Sequence, residues 1–113
     1  MLEVKRTDEY CEIIMDNPLI KSYSNDLYFT VGENIDRGLK KFILNLNQVD
    51  KIDSAGLEVL LRIHEEVDGL GGKLVILQPQ PLIEKILKLT KVQEKINIYM
   101  ESEHVCSIMG RQS

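Results

Sequence analysis

An Asp-Ser pair stands between an apolar run and an amphipathic segment, and this junction constrains the fold more than any other feature. Residues 42–46 are apolar apart from Asn45, which is typical of a strand buried on both faces. From about Ser54 to Asp68, leucine, isoleucine and valine recur at helical spacing with charged residues between them. The pattern therefore predicts a buried strand that leads directly into a helix.

Ser54 would open this helix. A serine in the first turn lies beside unpaired backbone N–H groups and the positive end of the helix dipole. Such a position tolerates a phosphate and displays a hydroxyl outward, which makes Ser54 a candidate switch residue. Asp53 and Ser54 are also common helix-capping residues, and residue type and position alone favour a purely structural cap over a switch.

Upstream of the junction, the chain predicts a hairpin and a first helix. Residues 2–6 and 10–15 read as two strands around a polar turn, and residues 21–26 read as a loop. An amphipathic helix is predicted from Asp26, with Asn25 or Asp26 as its cap. Its apolar positions recur every four residues at Leu27, Val31, Ile35 and Leu39.

Downstream, the pattern continues to alternate between strands and helices. Residues 69–72 predict a turn, 73–77 a strand, 81 to about 91 a helix, and 97–100 a last strand. Residues 101–109 are a possible terminal helix. The prediction is a single α/β domain over 1–113, with a small mixed sheet of four or five strands packed with about four helices.

Composition narrows the function classes. The chain has 113 residues and a net charge of −4, which argues against nucleic acid as its main partner. No apolar run approaches the about 20 residues needed to span a bilayer. Residues 1–6 lack the apolar core of a signal peptide, so the expected location is the cytoplasm.

The sequence pattern predicts no catalytic site and no metal site. His64 and Asp68 share a helix face, but one histidine–carboxylate pair lacks the further ligands of a tight metal site. No base is placed to activate Ser54, and Cys11 in its apolar strand reads as a small buried hydrophobe. We therefore expect no metal, no cofactor and no enzymatic activity.

The junction and its surroundings resemble the STAS family, in particular the anti-sigma factor antagonists. The resemblance rests on the strand at 42–49 and on Ile-Asp-Ser-Ala-Gly-Leu at 52–57, and it extends through 73–77 and 83–99. It covers about residues 40–103. It implies the STAS-like α/β fold and a regulatory role exercised through protein binding.

The resemblance also implies partners and site residues. The partner would be an anti-sigma factor that is a serine kinase of the histidine-kinase-like ATPase fold, bound when Ser54 is unmodified and released when Ser54 is phosphorylated. A serine phosphatase would reverse the modification. Ser54, Glu58 and Arg62 lie on one i, i+4 row of the helix. The expected partner-binding residues are Asp53, Ser54, Ala55, Gly56, Glu58, Arg62 and Asp16.

Two departures from the family pattern keep an alternative open. Family members carry a Gly-acidic-apolar-Asp element after the second strand, whereas residues 15–19 here read Met-Asp-Asn-Pro-Leu. Glu58 also stands where a small residue is common. The alternative is a non-phosphorylated STAS subunit of a transporter-associated or signalling scaffold complex.

Overall fold

A five-stranded sheet and three α-helices make up the fold in the computed structural model, which describes residues 2–103 and 105. The strands are β1 (Leu2–Arg6), β2 (Cys11–Met15), β3 (Lys41–Asn45), β4 (Lys73–Leu77) and β5 (Asn97–Tyr99). The helices are α1 (Lys21–Asp36), α2 (Ser54–Gly69) and α3 (Pro81–Leu89), with a 3₁₀ turn at Val92–Glu94. The predicted α/β domain with a mixed sheet is confirmed. The possible terminal helix at 101–109 falls largely outside the described residues.

The strands lie in the sheet in chain order, β1-β2-β3-β4-β5. β1 pairs antiparallel with β2 as the predicted hairpin, and every later pair is parallel. Each helix therefore connects two neighbouring parallel strands, and the three crossovers advance across the sheet in one direction. This topology brings the amino termini of the helices to the edge where the parallel strands end.

All three helices pack on one face of the sheet. Their buried side chains form one core with the side chains that β3 and β4 direct to the same face. The helix residues of this core include Leu27, Val31, Leu60, Ile63, Ile83 and Leu87, and the strand residues include Phe42, Leu44, Leu74 and Ile76. On the other face, Ile43, Val75 and Leu77 pack with Val105. β3 and β4 are thus covered on both sides, which explains their continuous apolar sequences.

The predicted start of α1 was wrong. The helix begins at Lys21 rather than Asp26, and its N-cap is Ile20, which offers no side-chain hydrogen bond. Neither Asn25 nor Asp26 caps it. The helix also ends before Leu39, because Gly38 has a φ of 93° and the chain turns there. The residues predicted as a loop form the first turns of the helix. The N–H groups of Tyr23 and Ser24 donate to the Ile20 oxygen, and the Lys21 N–H donates to the distant carboxylate of Asp53.

Candidate partner-binding site at the start of α2

Asp53 caps α2, as the sequence predicts for this junction. Its Oδ1 accepts a hydrogen bond from the Gly56 N–H at 2.9 Å, and its backbone oxygen accepts from the Leu57 N–H at 3.0 Å. The backbone of Asp53 is extended, with φ −119° and ψ −176°. These are the geometry and the bonds of an N-cap, so the helix begins at Ser54.

The same carboxylate binds the start of α1. Its Oδ2 accepts a hydrogen bond from the Lys21 N–H at 3.1 Å. The N–H of Gly56 contributes most to holding the pKa of Asp53 below its ordinary value, and the N–H groups of Lys21 and Ala55 add to it, whereas partial burial opposes the shift. Asp53 is therefore a charged residue that joins two helix amino termini.

The segment between β2 and α1 lies alongside the residues that precede Ser54. The Leu19 N–H donates to the Lys51 oxygen at 2.9 Å, and the Asp53 N–H donates to the Leu19 oxygen at 3.2 Å. Leu19 also forms an isolated parallel bridge with Ile52. The Leu19 side chain is fully buried, which anchors this segment against the core.

Gly56 makes this close approach possible. A Cβ atom on Gly56 would lie 2.1 Å from the backbone oxygen of Leu19 and 2.9 Å from its backbone carbon. Only a residue without a side chain fits under Leu19. Gly56 itself is buried, so its main structural role is to let the two segments touch. Its part in partner binding stays a prediction.

Ser54 is exposed at the first position of α2, and Ala55 beside it is half-buried. Glu58 and Arg62 are exposed one and two turns further along the same helix. The row from Ser54 to Arg62 is about 12 Å long, because eight residues each rise about 1.5 Å. Asp16 is exposed on the segment that follows β2, so it belongs to the same edge of the sheet but to a different strand end.

Arg62 takes part in a contact between α1 and α2. Its guanidinium carbon lies 5.6 Å from the ring centroid of Tyr28, which is a cation–π distance. The Tyr28 hydroxyl donates a hydrogen bond to a carboxylate oxygen of Glu66. This bond to Glu66 is the main reason that the pKa of Tyr28 is raised. The contact fixes the Arg62 end of the exposed row.

Sequence reasoning missed Lys21, Leu19 and Tyr28 at this site. The N–H of Lys21 and the oxygen of Leu19 are backbone groups, and residue type says nothing about their partners. Tyr28 contacts residues more than 30 positions away, so no local spacing signals it. An aromatic residue at the border of a predicted apolar helix face was the one available hint.

Other chemistry is sparse in the part of the chain that the structure describes. Within residues 2–103 and 105, no three histidine, cysteine or acidic side chains come together in a group that could hold a metal ion. None of the helices found in that part is long and apolar enough to cross a membrane. Cys11 is buried, and this burial raises the pKa of its thiol to about 11.

Several known proteins with similar sequences or folds are described as anti-sigma factor antagonists. A curated protein of Thermotoga neapolitana, described as a candidate anti-sigma factor antagonist, is 28% identical over 102 residues, which are 88% of this chain and 90% of the relative. The crystal structure of a candidate anti-sigma factor antagonist from Thermotoga maritima has a TM-score of 0.90 at 22% identity, over 97% of this chain and 95% of that one.

The anti-sigma factor antagonist SpoIIAA shares the fold as well. In its unphosphorylated form it has a TM-score of 0.81 at 17% identity, with 100% of both chains covered. At such low identity the likeness shows the fold alone. The STAS domain family, however, matches residues 1–105 directly, which confirms the resemblance seen in the sequence. The chain belongs to the STAS domain family.

Proposed function

We propose that this chain is an anti-sigma factor antagonist whose binding is switched by phosphorylation of Ser54. The unmodified protein binds an anti-sigma factor that is also a serine kinase of the histidine-kinase-like ATPase fold. Phosphorylation ends this complex, and a serine phosphatase restores the binding form. The protein acts as a binding module and not as an enzyme.

The observation that carries the proposal is the position of Ser54. Its side chain is exposed at the first residue of α2, on a backbone held by the Asp53 cap. A kinase must reach the hydroxyl, and a partner must read whether it is modified. Both needs favour an exposed serine on a rigid element over one in a loop.

The charges around the start of α2 also support the proposal that a phosphate on Ser54 disrupts partner binding. Phosphorylation adds a charge of about −1.5 to −2 at neutral pH. The N–H of Gly56, which an anion at a helix start would use, already donates to the Asp53 carboxylate. A phosphate on Ser54 therefore meets a neighbouring negative charge at Asp53, with Glu58 on the same face one turn away. The new charge changes the surface offered to the partner.

The proposed partner surface comprises the first turn of α2 and its exposed row. It contains Asp53, Ser54, Ala55, Gly56, Glu58 and Arg62, together with Asp16 at the end of β2. Arg62 is favoured as an anchor residue because Tyr28 holds its guanidinium in place. A positioned arginine loses less freedom on binding than one that is mobile in solution.

The proposal is tested by incubating the protein with ATP and each purified candidate kinase encoded near its gene. Intact mass should show one phosphate, which is absent from the Ser54→Ala variant. Because Asp53 is the cap, Ser54→Ala should leave stability nearly unchanged and should keep partner binding. Peptide mapping that places the phosphate at Ser22 or Ser102, which are also exposed, would reassign the site.

A binding series with the same kinase tests the electrostatic part. Ser54→Asp should weaken binding, though less than phosphate does, because one charge replaces nearly two. Glu58→Gln should partly rescue Ser54→Asp, and the rescue should shrink at high salt. Strict additivity of the two changes would place Glu58 outside the interface. Binding that is unaffected by Ser54→Asp, with no phosphate taken up, would favour the non-phosphorylated scaffold subunit.

A further inference from the structure

α3 exposes an apolar stripe on the side that faces away from the core. Leu82 and Leu89 are 60% and 72% exposed, and Ile86 lies half-buried between them. These three residues, at i, i+4 and i+7, lie on one face of the helix. Ile83 and Leu87 fill the core from the other face, so the exposed leucines are additional to what folding requires. We call Leu82, Ile86 and Leu89 the α3 stripe.

The α3 stripe lies in a basic region of an acidic protein. α3 itself carries Lys85 and Lys88 against Glu84, so its net charge is +2 − 1 = +1, and Lys88 lies 3.5 Å from the Glu84 carboxylate. Lys91, Glu94 and Lys95 follow the helix and bring the net charge of residues 81–95 to +2. The whole chain carries −4. An occupant of the α3 stripe should therefore combine an apolar surface with negative charge.

A groove that combines an apolar surface with negative charge lies beside α1. The groove has a volume of about 310 Å³ and is lined by Leu2, Met15, Asn17, Tyr23, Phe29 and Thr30. Phe29 is one of only two phenylalanines in the chain, and it is 72% exposed. We call this cavity the α1 groove.

The helix that borders the α1 groove is acidic. α1 carries Asp26, Glu33 and Asp36 against Lys21, so its net charge is −3 + 1 = −2. Asp26 lines the groove itself, and Glu33 is exposed one turn beyond Phe29. The α1 groove thus offers the apolar surface and the negative charge that an occupant of the α3 stripe needs.

The two surfaces cannot meet within one molecule. α1 connects β2 to β3, whereas α3 connects β4 to β5, and α2 lies between them. We propose that the α3 stripe of one copy docks in the α1 groove of a second copy, giving head-to-tail self-association. Contact between two α3 stripes is disfavoured, because it would bring their lysines together. The α1 groove borders Asp16 of the proposed partner surface through Met15 and Asn17, but neither docking surface includes Ser54. The proposed self-association does not rest on the proposed switch.

The test is sedimentation velocity of the full chain from about 5 µM to about 500 µM, the range suited to a small interface. The wild-type protein should grow beyond a dimer as concentration rises, because head-to-tail contacts leave one free end on each assembly. Phe29→Ser and Leu89→Ser should each weaken association by about tenfold or more. Both side chains are exposed, so the urea midpoints should stay close to that of the wild type.

Mixing the two variants gives the sharpest result. Phe29→Ser retains the α3 stripe and Leu89→Ser retains the α1 groove, so an equal mixture should form a dimer that cannot extend. Lys85→Glu should weaken association of the otherwise wild-type protein, and added salt should do the same. The matched control is Leu70→Ser, a change at a leucine that is 50% exposed at the end of α2, which should leave association unchanged.

Three outcomes would overturn the proposal. A wild-type protein that stays monomeric throughout the range has no such interface. A dimer that stops growing and resists both substitutions uses another surface. A mixture of Phe29→Ser and Leu89→Ser that remains monomeric, while the wild type associates, means that the two surfaces do not meet each other.

Discussion

Replacing Gly56 with alanine tests the contact between the start of α2 and the segment before α1. The new Cβ would lie 2.1 Å from the Leu19 oxygen, whereas ordinary van der Waals contacts begin at 3.4 Å. The clashing atom belongs to the backbone, so no change of rotamer can relieve the overlap. Leu19 must move, and the Asp53 N–H would then lose its bond to the Leu19 oxygen.

The expected cost follows from three contributions. Overpacking of a buried position costs about 1–3 kcal/mol. Loss of the backbone hydrogen bond adds about 0.5–1.5 kcal/mol. Alanine has the higher helix propensity, so replacing a helical glycine with alanine stabilises the folded state by about 1 kcal/mol, which offsets part of this cost. Gly56→Ala should therefore lower the free energy of unfolding by about 0.5–3.5 kcal/mol, and the Tm by about 2–14 °C for a domain of this size.

Urea unfolding followed by far-UV circular dichroism measures this change, and α1 provides the matched control. Gly32 lies inside α1, and a Cβ there would meet nothing within 4 Å. Gly32→Ala should therefore raise stability by about 0.5–1 kcal/mol. If Gly56→Ala were as stable as Gly32→Ala, the close approach of Leu19 to α2 would be refuted.

Three further predictions concern the core, the Asp53 cap and the buried thiol. Leu60→Ala should cost about 2–5 kcal/mol in urea unfolding because Leu60 is fully buried, whereas Leu82→Ala should stay within about 0.5 kcal/mol. Asp53→Asn should be less stable than the wild type above about pH 5, and the gap should close as pH falls through and below about 4, because the lowered pKa stabilises the folded state only while the carboxylate is charged. To leave Cys11 as the one thiol, the second cysteine of the sequence is replaced in the variant Cys106→Ser. Cys11 should then react with a thiol reagent slowly at pH 8 and rapidly in urea, because the pKa of its thiol in the folded protein is about 11. The first prediction is contradicted if Leu60→Ala and Leu82→Ala lose equal stability. The second is contradicted if the stability difference between Asp53→Asn and the wild type widens in acid, and the third if Cys11 is labelled rapidly in the folded protein.

Local pattern was sufficient to predict the sheet and the second helix. The apolar run at 42–46 indicated a strand buried on both faces, and β3 is such a strand within one residue. The Asp-Ser junction indicated a capped helix, and Asp53 is its N-cap. In both cases the interactions that decide the structure lie within a few residues, so the sequence displays them directly.

Where the deciding interactions are distant in sequence, the prediction was wrong or incomplete. The start of α1 was placed five residues late, because the acceptor for the Lys21 N–H is the carboxylate of Asp53. No residue near Lys21 signals that bond. The Tyr28 contact with Arg62 and Glu66 was missed for the same reason, since it forms only after α1 and α2 pack together. Gly56 was recognised by its place in the motif, but its closeness to Leu19 required the fold.

The hydrogen bond from Lys21 to Asp53 spans 32 positions in the chain, and this has a consequence for how the native state opens. Slow amide hydrogen exchange requires an acceptor, and the Lys21 amide finds its acceptor only when the start of α2 is in place. Any fluctuation that frees Asp53 from Gly56 also disturbs the first turn of α1. The amides of Lys21 and Gly56 should therefore exchange with the same opening free energy, as one cooperative unit built from two helices.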